Sequence, residues 1–168
     1  TDKKGVSVET ESKTKGSASL SEKRSYSVDT SSSEITWTAY KFTQKLGVNG
    51  TFNHSIIRAE SKNPSLEELL EGAEIDIVTK SVNSNNEGRD AKLRTYFFEV
   101  FNTDTITGSI TNAAEGKGTM QLKMNNISNN TQYTYAIVND TLLLTTDIDL
   151  TFWEAKTALA TLNKECLE

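Results

Sequence analysis

The chain has 168 residues and a net charge of −5, with 35% hydrophobic residues, one proline, one cysteine and one histidine. That length is one domain, and the acidic balance argues against a partner held through phosphate neutralisation. No run approaches the roughly 20 apolar residues of a membrane-spanning helix. The lone Cys166 excludes an internal disulfide framework, and the lone His54 excludes a multi-histidine metal site within one chain.

Residues 1–24 have no aromatic side chain and are rich in Lys, Ser, Thr, Glu and Gly. Six cations face four carboxylates there, so the remainder of the chain carries −7. Such a segment buries too little apolar area to offset its ordering entropy. It reads as a flexible polar arm, with residues 25–168 as one β domain; the alternative is that Val6 and Val8 begin an edge strand. The first residue is Thr rather than Met, which fits a removed signal segment and equally a cloning boundary.

From there period-two alternation dominates. Ile35, Trp37 and Ala39 oppose Thr36, Thr38 and Tyr40. Asn49-Gly50 is by propensity a hairpin turn. Ser65-Leu66-Glu67-Glu68 is a capping box, followed by Leu69, Leu70 and a stop at Gly72. Ile75, Ile77 and Thr79 oppose Asp76 and Lys80. The stretch from Glu87 to Phe98 places Leu93 and Phe97 one helical turn apart. Met120, Leu122 and Met124 form a further strand face, then Tyr133, Tyr135 and Ile137. Leu142, Leu144 and Ile148 continue the pattern, with Asp147 and Asp149 pointing away. Asn112 to Gly118, Asn125 to Asn130 and Asn139-Asp140 supply short connections. The Ala- and Leu-rich run from Trp153 to Cys166 predicts a helix of about three turns.

Catalytic templates are missing. There is no glycine-rich phosphate loop, no HExxH and no G-x-S-x-G. His54 lies between Asn53 and Ser55 with nothing local to orient it, and Cys166 sits in the final helix as an inert thiol. Asp147 and Asp149, on one strand face, would lie roughly 7 Å apart. They read as the solvated side of a strand rather than as a glycosidase pair. The chain is therefore expected not to be an enzyme, and to need neither cofactor nor metal.

The segment SVNSNNEGRDAKLRTYFFEVFNTDTITG, residues 81–108, resembles the YceI-like family of lipocalin-like, polyisoprenoid-binding exported proteins. Ser81, Val82, Ser84 and Asn86 match its opening, with Ser84 in place of Thr. Arg89 and Asp90 match its charged pair, and Leu93, Phe97, Phe98 and Val100 its apolar positions. Glu99 stands for the usual Asp, Lys92 for His, Asp104 for Pro and Gly108 for an aromatic residue. Tyr26, Val28 and Asp29 resemble the family's opening Tyr-x-x-Asp, and Ser33, Ile35 and Trp37 its first strand. Gly50-Thr51-Phe52 resembles its Gly-x-Phe, which sets Gly50 inside a strand after a turn near Lys45 to Val48. The resemblance spans roughly residues 26–151. Relatives usually finish on a strand, whereas this chain ends on a helix; either more chain follows Glu168 or the barrel closes differently.

The resemblance implies a mainly β fold: an antiparallel lipocalin-like β-barrel of about eight strands with one to three short helices. It implies non-catalytic binding, storage or transport of a long apolar lipid, a polyisoprenoid or isoprenoid quinone, inside the barrel. The alternative is a surface interaction or adhesion module with a packed β interior. The lining would be Trp37, Phe52, Ile77, Leu93, Phe97, Phe98, Ile106, Leu122 and Tyr135, each of which also fits ordinary core packing. Arg89 and Asp90 would either meet a head group at the mouth or serve as a structural ion pair or cap. Adjacent Phe97 and Phe98 cannot both point inward from a helix or a strand, so one would plug the barrel. The implied partner is an isoprenoid or other long-chain lipid, with no nucleic acid. A homodimer and a membrane tether through a Cys upstream of Thr1 stay open. The implied location is periplasmic or secreted, with or without a lipid anchor.

Overall fold

Alternating runs broken by Asn and Gly are dictated to pair with their sequence neighbours, and most of them do so here. The computed structural model describes residues 6–9, 24–41, 46–62 and 64–166. Strands β1 (Val6–Glu9) and β2 (Ser25–Val28) form a two-stranded ribbon. Val6 and Val8 thus belong to an edge strand, the alternative to a wholly flexible arm; residues 1–5 and 10–23 lie outside the described residues. Strands β3 (Ile35–Lys41), β4 (Leu46–Phe52) and β7 (Val82–Asn83) make a three-stranded sheet in that order. A six-stranded sheet has the order β5 (Ser55–Arg58), β6 (Glu74–Val78), β8 (Thr105–Ala114), β9 (Lys117–Met124), β10 (Ile127–Val138), β11 (Thr141–Thr146). Every pairing is antiparallel.

The two larger sheets are one curled wall bent at a corner. Phe52 opposes Val82 on one side of it and Ser55 opposes Ile77 on the other, so β4 runs on into β5 and β6 into β7. Ser81 pins the bend, taking the His54 amide at 3.0 Å and donating to the Val78 carbonyl at 2.6 Å. The buried Thr79 hydroxyl donates to the Thr103 carbonyl at 2.7 Å. Among the described residues the wall has seven staves, and β3 and β11 are its unpaired edges. It is a barrel left open along one side.

Three tight hairpins build the larger sheet. Glu115-Gly116, Asn125-Asn126 and Asn139-Asp140 all have positive φ at both central positions, the geometry whose twist matches that of the flanking strands. Of the residues expected in connections, Asn112 to Ala114, Lys117, Gly118 and Ile127 to Asn130 are strand. A bulge between Ile110 and Asn112 shifts the parity of β8. Ile110 therefore packs on the core, and so does Ala113 three residues later.

Helices cover one face. α1 (Leu66–Leu70) starts on the expected capping box, with Ser65 Oγ taking the Glu68 amide and Glu68 reaching back to the Ser65 amide. α2 (Glu87–Lys92), capped by Asn86, runs on into a π-helical segment at Leu93–Phe98. A 3-10 turn, Leu150–Trp153, precedes α3 (Lys156–Cys166), which packs on the π-helical segment. Trp153 thus lies ahead of the C-terminal helix expected to contain it. Lys92 Nζ donates to the Glu165 carbonyl at the end of α3.

Asn49-Gly50 is strand, not turn: Gly50 pairs with Trp37 inside the β3–β4 ladder. Of the turn expected near Lys45 to Val48, Lys45 lies outside the described residues and Leu46 to Val48 are strand. The Trp37 ring lies over Gly50, and its indole N–H donates to the Thr51 carbonyl at 3.1 Å. A Cβ at position 50 would sit 2.6 Å from Trp37 Cε2 and 2.7 Å from the Asn83 carbonyl oxygen. Gly50→Ala should cost about 1–3 kcal/mol by overpacking and alter the tryptophan emission, both read from urea titrations. An unchanged midpoint would show that the Trp37–Gly50 apposition is loose.

Candidate ligand-binding site

The inner face of the curled wall divides into a sealed part and an open part. In the sealed part, Trp153 is 1% exposed and donates its indole N–H to the Leu122 carbonyl at 3.1 Å. Phe97, Phe101, Met120, Leu122, Met124, Tyr133 and Tyr135 close around it, with Ala155 and Ala158 bringing α3 near. Buried hydroxyls are matched: Tyr133 donates to the Asn112 carbonyl at 2.8 Å and Tyr135 to Glu67 Oε1 at 2.9 Å. Burial pushes the Tyr133 hydroxyl up to about 12, helped by the nearby Tyr135 and Glu71. Burial and the Glu67 hydrogen bond also raise Tyr135.

The open part follows the unpaired edges. Tyr133, Tyr135 and Ile137 share one face of β10, and their partners Thr146, Leu144 and Leu142 share it on β11. Tyr133 and Tyr135 are buried, but Ile137 and Leu144 are each 38% exposed, and Ile148 beyond the strand is also exposed. On the opposite edge, Trp37 is half-buried and Ala39 exposed, on the same face as Phe52. That face points inward, because the Phe52 ring meets Phe98 edge-on at 6.1 Å and Phe98 packs on the core. Apolar side chains thus stay partly uncovered on the concave side, where monomeric proteins ordinarily bury them.

Of the expected lining residues, Phe97, Leu122 and Tyr135 belong to the sealed cluster, with Ile106 packed against it and Ile77 buried. Phe52, Phe98, Phe97 and Phe101 form a chain of ring contacts from the small sheet into that cluster. Phe97 and Phe98 both pack on the core, contrary to the expectation for adjacent helical residues. The backbone there is π-helical, and its wider turn changes which side chains share a face. Trp37 lines the small sheet and Leu93 is half-buried at the start of the π-helical segment.

Arg89 and Asp90 do not form an ion pair. Asp90 is buried and accepts from the Ser84 amide at 2.9 Å and the Ser84 hydroxyl at 2.6 Å, fastening β7 to α2. Arg89 is half-buried on the same helix. The charged pair of the sequence motif is therefore a structural clasp on its Asp side.

At the corner lies a cavity of about 570 Å³, bounded by the 30–34 loop, the end of β4 and β5. Of the residues expected to line a ligand site, Phe52 is the one that borders it. Asp29 organises the loop, taking the Ser31 amide, the Ser31 hydroxyl and the Ser32 hydroxyl. The Ser31 and Ser32 hydroxyls hold the Asp29 carboxyl below its ordinary value. This loop and the β11 edge were not singled out in the sequence. The one available signal was Leu142-Leu143-Leu144, an apolar run in a strand whose two faces should differ.

Asp147 and Asp149 do not share a strand face, since β11 ends at Thr146. Asp149 caps the 3-10 turn, accepting from the Thr151 hydroxyl and amide, and the Thr151 bonds hold its carboxyl low. A general acid needs the opposite shift. His54 is exposed at the corner and Cys166 half-buried. Among the described residues no cluster of His, Cys, Asp and Glu is placed to hold a metal ion.

Residues 26–165 match the YceI-like domain family. Solved structures share the fold. BcnA of Burkholderia cenocepacia is 15% identical, with a TM-score of 0.56 over 78% of this chain and 86% of its own. A polyisoprenoid binding domain from Saccharophagus degradans is 16% identical, with a TM-score of 0.55 over 80% and 83%. The YceI protein of Campylobacter jejuni is 18% identical, with a TM-score of 0.53 over 81% and 86%. No curated protein matches the chain.

The sealed part makes a prediction about pH. The folded protein holds the Tyr133 proton more tightly than the unfolded chain does, so this stabilisation is complete below the ordinary value of 10 and disappears as pH rises toward about 12. Urea midpoints should fall over that window. Tyr133→Phe should lose roughly 1 kcal/mol near neutrality with its hydrogen bond and show a shallower alkaline decline. An equal decline in the variant would assign the alkaline loss to other groups.

Proposed function

The chain belongs to the YceI-like family, and from that premise we propose that it binds a long apolar lipid of the polyisoprenoid class along the open side of its concave face. The observation that carries this reading is the row of inward apolar side chains left partly uncovered beside a sealed core: Ile137, Leu142 and Leu144 on one edge, Trp37 and Ala39 on the other. Leu122, Phe97 and Tyr135 are too enclosed to meet a ligand directly, so the lipid lies across the sealed cluster instead of threading through it. A relative of the same fold is a polyisoprenoid binding domain, which supports the ligand class.

Such a ligand needs little polar recognition. Covering a few hundred Å² of hydrocarbon at about 25 cal/mol per Å² yields several kcal/mol before ordering costs. The reading is of binding and not of catalysis, and it extends to a location outside the cytoplasm, periplasmic or secreted, which cell fractionation tests.

One observation favours a second reading, a surface interaction module. Among the described residues no strand pairs with the outer side of β11, which has three leucines and no charged residue between Thr141 and Thr146, the kind of edge that accepts another strand.

Organic extraction of purified protein followed by mass spectrometry separates the two. The lipid reading expects a co-purified isoprenoid, and expects Leu144→Glu to reduce its occupancy about tenfold or more, since a carboxylate on the apolar row costs more than 1.4 kcal/mol. Leu144 is partly exposed, so the fold should tolerate the change. Extracts without lipid, or undiminished occupancy in the folded variant, would leave the interaction module.

A further inference from the structure

We propose that α3 is a lid that swings about Glu154 and opens the sealed part of the concave face to a long apolar ligand, a role that rests on the lipid reading above. The chain changes character at that residue. Before it, the 3-10 turn is fastened to the sheet at three points: the Trp153 indole donates to the Leu122 carbonyl, Asn125 to the Trp153 carbonyl and Asn129 to the Phe152 carbonyl. After it, among the described residues, one hydrogen bond ties α3 to the rest of the body, from Lys92 Nζ to the Glu165 carbonyl. No ion pair among the described residues involves α3.

α3 also holds little of the core. Its one buried side chain is the methyl of Ala158, and Ala155, between hinge and helix, adds a second. Leu159 and Leu162 pack against the sealed cluster and are only half-buried. Burial stabilises in proportion to apolar area, so raising α3 gives up two methyls and parts of two leucines, while Trp153 keeps its place. Glu154 suits the hinge. It is exposed, and its φ of 59° and ψ of 34° are left-handed, a conformation that disfavours any residue with a Cβ. Rotation there relieves that strain and offsets part of the lost contact; single residues at the end of an element commonly absorb such a change.

Beneath α3 lies the π-helical segment Leu93–Phe98, on which it packs. Phe97 and Phe98 lead from this segment into the core and on to Phe52 of the small sheet. Raising α3 uncovers this segment and so adds apolar area to the site. Lys92 is the clasp, since it ends α2, which runs on into the same segment, and thus ties α3 to the surface it covers.

The experiment follows the whole chain by amide hydrogen exchange and by stopped-flow binding of retinol, an isoprenoid whose emission is excited by transfer from tryptophan. The amides of residues 160–164 should exchange as one group, at least tenfold faster than those of β9. Lys92→Met keeps the apolar stem and removes the clasp. It should speed exchange in α3 about fivefold, the worth of roughly one hydrogen bond, leave β9 exchange unaltered, and raise the retinol association rate by a similar factor. Exchange of α3 in step with β9 overturns the lid, as does unchanged α3 exchange in Lys92→Met. Faster exchange with an unchanged retinol rate overturns its role in entry and leaves the lipid reading standing. If neither form binds retinol and extracts hold no isoprenoid, the lipid reading fails and the entry role with it.

Discussion

The hydrogen bond from the Trp153 indole to the Leu122 carbonyl decides what kind of interior this barrel has. A curled sheet with an apolar concave face must cover it, and here the covering piece is a short 3-10 turn and a three-turn helix instead of further sheet. Trp153 is the largest side chain in the interior, and losing such a group from a core costs about 3–5 kcal/mol. Its bond to β9 fixes where the cover sits. Asn125 adds a second anchor through the Trp153 carbonyl at 3.1 Å, and Asn129 holds the Phe152 carbonyl at 2.7 Å. The cover therefore spans the middle of the sheet and stops short of its β11 end. What is sealed and what remains open both follow from that placement.

Local chemistry was legible in the sequence wherever it decides its own geometry. The Ser65–Glu68 capping box formed because both partners lie within one helical turn. Asn125-Asn126 and Asn139-Asp140 made hairpins because these residues tolerate positive φ. Asn49-Gly50 carries the same turn signal and failed, since a tryptophan on the neighbouring strand needs the space a side chain would fill. Asp147 and Asp149 failed for a related reason: Thr151, two residues on, offers Asp149 a local cap that competes with continuing the strand.

The candidate site was less legible than the fold, because the most specific motif turned out to be scaffold. Ser84 and Asp90 join β7 to α2, Asn86 caps α2, and Ser81 bends the wall. Residues that recur in order and spacing are here the ones that make the corner. The open row on β11 has no such signature, since Leu142 and Leu144 read like any strand interior. Whether an inward leucine is sealed or exposed depends on where a distant helix comes to rest, and alternation carries no record of that.

The two readings of the open side make different demands on β11. A docking strand would hydrogen-bond the backbone N–H and C=O groups along the outer side of β11, and its side chains would alternate between the two faces of the extended sheet. A hydrocarbon does nothing for those backbone groups and contacts one face only. The exposed apolar residues occur on both faces: Leu144 and Ile137 inward, Leu143 and Val138 outward. The outward pair lies on the convex side, whose other rows carry Arg58, Glu74, Asp76 and Lys123. The inward pair adjoins the sealed cluster, since Tyr135, the register partner of Leu144, belongs to it. An extended hydrocarbon gains from the partly uncovered apolar side chains in proportion to the area it covers, whereas a strand gains mainly along the six residues of the edge. The proposed lipid reading rests on those uncovered inward residues, and the small sheet's share of them stands beside the sealed core because the aromatic chain from Phe52 to Phe101 holds that sheet against it.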